Sequence, residues 1–198
     1  FESPDAGFYG TDYRLLAEVH IEYSDGTEEV TGTDENWKVR RSNITFSGIY
    51  DGEWQDDTLP KLPEEKIILT TPAKGTLSDN LSIPVKAHEE FHPVLVENEA
   101  GEILLDNEQN LAGIFELRVN VPYGQKVPLQ FGEILQDGQF YRDNLRTAKA
   151  EFWYVSDGKE KMVRPHFTFY GFRYIKIEGI RDFDPRDIIV KTVYSDIS

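Results

Sequence analysis

His88-Glu89-Glu90-Phe91-His92 has the residue types and spacing of a zinc-protease helix, in which two histidines hold the metal and a glutamate acts as base. That chemistry requires a helix, because only there do side chains four positions apart project side by side. Pro84 and Pro93 bracket the motif, and a residue before proline is biased away from helical angles. Val85, Ala87, Glu89 and Phe91 alternate with Lys86, His88, Glu90 and His92, which is the period of a strand. Positions four apart in a strand lie about 13 Å from each other. Zinc reaches its nitrogen ligands at only about 2.0–2.1 Å, so His88 and His92 are rejected as a zinc site.

A second stretch with chemical content runs from Asp51 to Glu65. It holds a dense acidic run, one tryptophan and two prolines, and reads as an exposed loop. Asp51, Glu53, Trp54 and Asp56 form its candidate site: an apolar ring face beside carboxylates suits a saccharide or a calcium ion. The competing reading tucks Trp54 against the body of the fold and leaves the loop solvated. The remaining glutamates fall mostly on polar strand faces and in loops, and none is assigned as catalytic.

The elements that must position these residues are strands. The chain has 198 residues, 39% hydrophobic and 13% aromatic, enough for one large all-β domain or two small ones. Thirty-six acidic against 21 basic residues give a formal charge of -15, which repels nucleic acid and anionic lipid and sets both aside as partners. The absence of cysteine excludes disulfides and thiolate chemistry, and favours a cytoplasmic over a secreted setting. No apolar run approaches the roughly 20 residues of a membrane span. Phe1 is followed by no signal-like segment, so the chain reads as an excised or processed piece.

After an irregular, Gly-rich stretch at 1–11, Ala17, Val19, Ile21 and Tyr23 alternate with Glu18, His20 and Glu22. Ser24-Asp25-Gly26-Thr27 then supplies a hairpin turn, and Glu28 to Thr31 the return strand. Trp37–Val39, Ile44–Phe46 and Ile67–Leu69 read as short strands, and 70–84 has linker composition. The second half predicts strands at 85–96, 103–105, 114–121, 127–134, 151–155, 162–170, 172–177 and 188–193. Turn signals lie between them at 99–101, 122–124, 136–138 and 156–158. No helix longer than a turn or two is expected. In Pro165 to Gly179, Phe167 and Phe169 share one side of a strand, Gly171 interrupts, and Arg173, Ile175 and Ile177 resume the alternation. The fold class is all-β: two antiparallel, jelly-roll-like β-sandwich domains, the first truncated, at 1–76 and 77–198.

Three stretches together resemble the bacterial α-L-rhamnosidases, whose helical-barrel catalytic domain is preceded by β-sandwich domains. Leu15 to Val39, with Ile49-Tyr50-Asp51-Gly52-Glu53, is similar to the later part of the family's N-terminal sandwich. Gln109-Asn110-Leu111-Ala112-Gly113 resembles a Gln-Asn-Phe-Ala-Gly signature. Gly132–Leu135, Asn144–Ala150 and Pro165–Tyr174 resemble the concanavalin-like sandwich that lies against the barrel. Residues 106–108 depart from it, with Asp-Asn-Glu where the family usually has Asp-Phe-Gly, and the stretch after Glu53 lacks the usual Tyr-Asp-Ala-Arg.

The resemblance implies inverting glycoside hydrolysis by two carboxylates roughly 6.5–9.5 Å apart, carried on a barrel for which this sequence has no helices. The chain is therefore expected to be a non-catalytic accessory region of an α-L-rhamnosidase. Its partners would be the catalytic barrel of the same polypeptide and rhamnose-containing glycans, and it would need no cofactor, with calcium a candidate ligand. Gln109, Asn110, Arg146, Tyr170, Phe172 and Arg173 are the implied docking residues. An open sandwich edge also predicts a homodimer. The competing classes are a free-standing, calcium-dependent lectin-like module and a β-sandwich hydrolase complete in 198 residues.

Overall fold

The computed structural model describes residues 14–71, 78, 80–97, 101–180 and 183–197. The irregular start read at 1–11, the centre of the linker read at 70–84 and most of the turn read at 99–101 lie outside the described residues. The chain divides into two compact units, one made of 1–41 and 61–78, the other of 42–60 and 79–198.

In the first unit, β1 (Glu18–Glu22) and β2 (Glu28–Gly32) form the expected antiparallel hairpin. Gly26 turns it with a φ of +83°, and the Asp25 carboxylate accepts from the Thr27 amide and hydroxyl. β3 (Lys38–Val39) pairs with a strand at Glu65–Lys66, two residues earlier than the one expected at 67–69. Among the described residues of this unit no side chain is buried.

Between them, β4 (Ile44–Gly48) and β5 (Gly52–Asp56) belong to the second unit, and the Glu65–Lys66 strand is β6. A single cut at 76/77 therefore does not divide the structure: residues 42–60 leave the first unit and pack with the second. The second unit continues with β7 (Val85–Phe91), β8 (Val94–Glu97), β9 (Ile103–Val119) and β10 (Lys126–Gly132). After a small hairpin of β11 (Ile134–Gln136) and β12 (Gln139–Tyr141) come β13 (Glu151–Val155) and β14 (Lys161–Val163). β15 (Tyr170–Ile177) and β16 (Ile188–Ser195) complete it. Among the described residues the only helical pieces are 3-10 turns at Asp143–Leu145 and Pro185–Asp187.

Ten of these strands make one curled sheet, in the order β4-β5-β13-β10-β15-β9-β16-β7, with β8 and β14 also paired to β9. It is the β-sandwich expected, except that β5 runs parallel to β13. Strict alternation over β10, with Val127, Leu129 and Phe131 wholly buried, shows how the sheet is driven to close on one apolar face. Phe131 is the hub of that core: it stacks on Tyr170 at 3.9 Å and meets Phe172 at 5.0 Å, while Phe115 reaches Phe131 at 5.6 Å and Phe152 at 4.9 Å.

The strands predicted at 103–105 and 114–121 are one long strand, β9, broken by a bulge. Opposite it, the β15 register shifts between Phe172 and Tyr174, and not at Gly171 as the sequence suggests. The shift changes which parity faces inward, so Tyr170 and Phe172 are buried on one side of it and Ile175 and Ile177 on the other. Arg173 braces the bulge through paired bonds of 2.8 and 2.9 Å to Asp106, and Asn107 donates to the Arg173 carbonyl at 2.7 Å. Glu108 sits in the bulge with a φ of +62°, where the resemblance has glycine. A side chain in that left-handed region costs about 1–2 kcal/mol, partly offset by the greater backbone freedom that glycine would lose. Glu108→Gly is therefore expected to raise unfolding free energy by about 0.5–1 kcal/mol in urea denaturation.

The segment read as one strand from 162 to 170 is strand only to Val163, and 85–96 is likewise two strands parted at His92-Pro93, since proline cannot donate to the ladder. Residues 164–169 cross irregularly, with Pro165 and Thr168 buried and Phe167 and Phe169 exposed.

Candidate functional site

β5 is the strand that gathers polar chemistry. The exposed loop expected over 51–65 is corrected: Gly52–Asp56 is a strand hydrogen-bonded between β4 and β13, and Glu53 and Gln55 are buried in it. Alternation sends Glu53 and Gln55 to one side, Trp54 and Asp56 to the other.

On the first side the Glu53 carboxylate, wholly buried, accepts backbone N–H groups from His166 (3.0 and 3.1 Å) and Phe167 (3.0 Å). The Gln55 amide donates to it at 2.8 Å, and the His166 ring nitrogen Nδ1 lies 3.3 Å away. A buried carboxylate is tolerated only with such partners. Glu53 thus pins the irregular 164–169 crossing to the sheet, holding Phe167 at 74% exposure.

The same side opens into a cleft of about 400 Å³ whose walls include Asn43, Gln55, Asp57, Glu116, Lys161, Met162, Arg164 and His166. Asp57 is its fixed point, accepting from Asn43 (2.6 Å), Tyr154 Oη (3.0 Å) and Lys161 Nζ (2.5 Å). Burial, then the bond to Asp57, push the Tyr154 hydroxyl up to about 12. Burial opposes the charge on Lys161, but its bonds to Asp57 and Asp157 outweigh this and raise its pKa. These groups are committed to one another and are structural.

On the second side, Trp54 packs against Phe46 (4.9 Å between centroids), and Lys149 Nζ lies over its ring at 5.7 Å. Its indole N–H is buried without a partner. The carboxylates predicted to join it do not converge: Asp51 accepts from the Lys149 amide, Asp56 from the Thr58 amide and hydroxyl, and Glu53 faces the other way. Among the described residues no three His, Cys, Asp or Glu side chains are grouped to hold a metal ion. In β7, His88 stacks on Tyr194 at 3.7 Å with its Nε2 3.2 Å from the Tyr194 carbonyl oxygen, and His92 follows the strand's end.

The expected docking residues divide. Tyr170 and Phe172 are 3% and 0% exposed, so they are core and present nothing to a partner, a correction forced by the sheet's inward parity. Gln109, Asn110 and Arg146 are exposed. Asn110 (3.4 Å) and Asn144 (2.8 Å) both donate to Glu133, a hub the sequence reading missed because its members lie on three separate segments. Arg173 is held by Asp106, whose pKa is lowered, first by the guanidinium hydrogen bond and further by the Glu108 amide and the Arg173 charge. Glu151 is also lowered: burial raises it, but bonds from Trp153, Gln130 and Arg142 prevail. A carboxylate with a depressed folded pKa contributes stability above its unfolded value, ordinarily 3.8 for Asp, and loses it as pH falls through the lower folded value. Unfolding free energy should therefore hold from pH 7 down to the unfolded carboxylate values, 4.5 for Glu and 3.8 for Asp, and fall as pH drops below them, and Asp106→Asn should flatten that fall in urea titrations at each pH.

Residues 96–194 match the bacterial alpha-L-rhamnosidase concanavalin-like domain, and residues 2–63 the alpha-L-rhamnosidase N-terminal domain. By sequence, then, 42–60 fall in the N-terminal domain match, although they pack with the second unit. An alpha-L-rhamnosidase of Alteromonas sp. is 32% identical over 181 residues, covering 84% of this chain and 20% of that protein. One of Streptomyces avermitilis is 31% identical over 185 residues, covering 86% and 18%. The alpha-L-rhamnosidase structure from Dictyoglumus thermophilum superposes with a TM-score of 0.80 at 28% identity, over 94% of this chain and 23% of that one. That from Aspergillus terreus gives 0.76 at 28%, over 91% and 23%. The chain spans about a fifth of the length of the curated relatives it matches. With both of its matched regions drawn from one kind of protein, this chain belongs to the bacterial alpha-L-rhamnosidase family, as its N-terminal and concanavalin-like domain region.

Proposed function

We propose that this chain is a non-catalytic accessory region of an α-L-rhamnosidase, supporting a catalytic barrel carried elsewhere in the same polypeptide. The observation that carries the reading is how its carboxylates are spent: Glu53, Asp57, Asp106, Glu133 and Glu151 each serve a bond inside the fold. None is left as half of an acid–base pair across a groove, which glycoside hydrolysis requires. Among the groups the second unit offers outward are Phe167, Phe169 and the Asn110–Glu133–Asn144 hub, an apolar and hydrogen-bonding set suited to an interdomain contact.

The test has two arms. The isolated chain should release no aryl alcohol from an aryl α-L-rhamnoside, and turnover above a heat-denatured blank would refute the non-catalytic reading. Phe167→Ser should leave the melting temperature of this chain unchanged while lowering that of the longer polypeptide. Equal melting of the longer protein with and without the substitution would refute docking through Phe167.

A further inference from the structure

The side of β5 opposite Trp54 carries unspent polar atoms. Gln55 is 4% exposed, and its Nε2 faces three partners: Arg164 O at 2.7 Å, Glu53 Oε1 at 2.8 Å and His166 Nδ1 at 3.0 Å. That crowding fixes the amide, so its Oε1 is left as an acceptor with no protein donor. The His166 ring is engaged only through Nδ1, leaving Nε2 without a protein partner. The Arg164 guanidinium is half exposed, its ion-pair contact being 3.9 Å to Glu116. Beside them Met162 is 51% exposed and offers the cleft an apolar flank. All four residues line the same cleft of about 400 Å³.

These groups define a ligand. An unpaired amide oxygen at the cleft wall, a ring nitrogen that donates or accepts, and a forked donor match adjacent hydroxyls, and the thioether chain matches the C–H face of a ring. Within the cleft Asp57 and Glu116 balance Lys161 and Arg164, so the lining selects neither an anion nor a cation. We propose that this cleft, and not the Trp54 side of the strand, binds a single neutral sugar ring, with Gln55 Oε1, His166 Nε2 and Arg164 taking its hydroxyls and Met162 its apolar face. Phe167 is not part of the cleft wall, so the cleft variants and Phe167→Ser read the two proposals apart.

The test is an amide-resolved NMR titration of the whole chain with L-rhamnose, D-glucose and D-galacturonate, each with and without calcium. A neutral sugar should shift the amides of Gln55 and residues 162–166 and leave those of Phe46, Trp54 and Lys149 in place. Arg164→Ala should weaken binding about tenfold and Met162→Ala about threefold. Both side chains are at least half exposed, and each variant should melt with the parent. The proposal is overturned by no shift at about 50 mM sugar, a very weak affinity for any real site. It is equally overturned by shifts centred on Trp54, by preference for the uronate, by an absolute need for calcium, or by unchanged affinity in Arg164→Ala.

Discussion

Gly52→Ala is expected to lower the melting temperature of the second unit by about 10 °C or more, corresponding to at least about 3 kcal/mol. Gly52 has a φ of +104°, a region essentially closed to residues with a side chain. A Cβ built there would lie 1.8 Å from the Glu151 carbonyl oxygen and 2.8 Å from its carbon. Those atoms are backbone, and they belong to the residue facing Gly52 in the β5–β13 ladder, so relief requires the two strands to part. The flanking bonds, Ala150 N to Tyr50 O and Glu151 N to Asp51 O, would be lost with them. Thermal denaturation followed by fluorescence of Trp54 and Trp153, which face each other across this ladder, reads the effect directly. A variant melting within a degree or two of the parent would contradict the tight approach.

Glu53→Ala should be nearly as severe, about 3 kcal/mol or more in urea denaturation. It strands the His166 and Phe167 amides and one hydrogen of Gln55 around a wholly buried position, and each orphaned group costs about 1–3 kcal/mol. Glu53→Gln is the sharper experiment. It preserves shape, yet it offers one acceptor oxygen where two are used and turns an amide toward backbone N–H groups, so about 2 kcal/mol should still be lost. A full rescue by glutamine would show that packing, and not the paired acceptors, is what this position supplies. The same variants should raise hydrogen exchange at residues 166 and 167 before the rest of the sheet.

What the sequence disclosed, and what it hid, follows from the range of the interactions. Alternation along 127–131 and the Asp25-Gly26 turn are local signals, and both were legible. The strand character of 85–91 was legible too, because Pro84 and Pro93 removed the helical alternative for a motif that otherwise matches a metal site letter for letter. The nature of 52–56 was not. A run of acids with a tryptophan reads as solvated loop unless one knows that its glutamate meets two backbone amides 113 and 114 residues away. The burial of Tyr170 and Phe172 is hidden for a related reason: the bulge that sets their parity is shared with β9 and leaves no mark in the local pattern. The family resemblance located the region correctly, but it assigned surface roles to core positions.

The parallel seam between β5 and β13 has a consequence for the order in which this chain can be built. Emerging from the ribosome, residues 42–60 have no strand beside them except β4 until roughly a hundred more have been made, so their ladder closes a long loop late. A piece beginning at residue 77 would never receive that strand. It would present β13 as a bare margin, with a vacated slot where Glu53 should plug the 164–169 crossing, and it should cluster with its own copies. The two matched regions are thus stitched into one another, and the smallest soluble form of the sheet must begin no later than the forties.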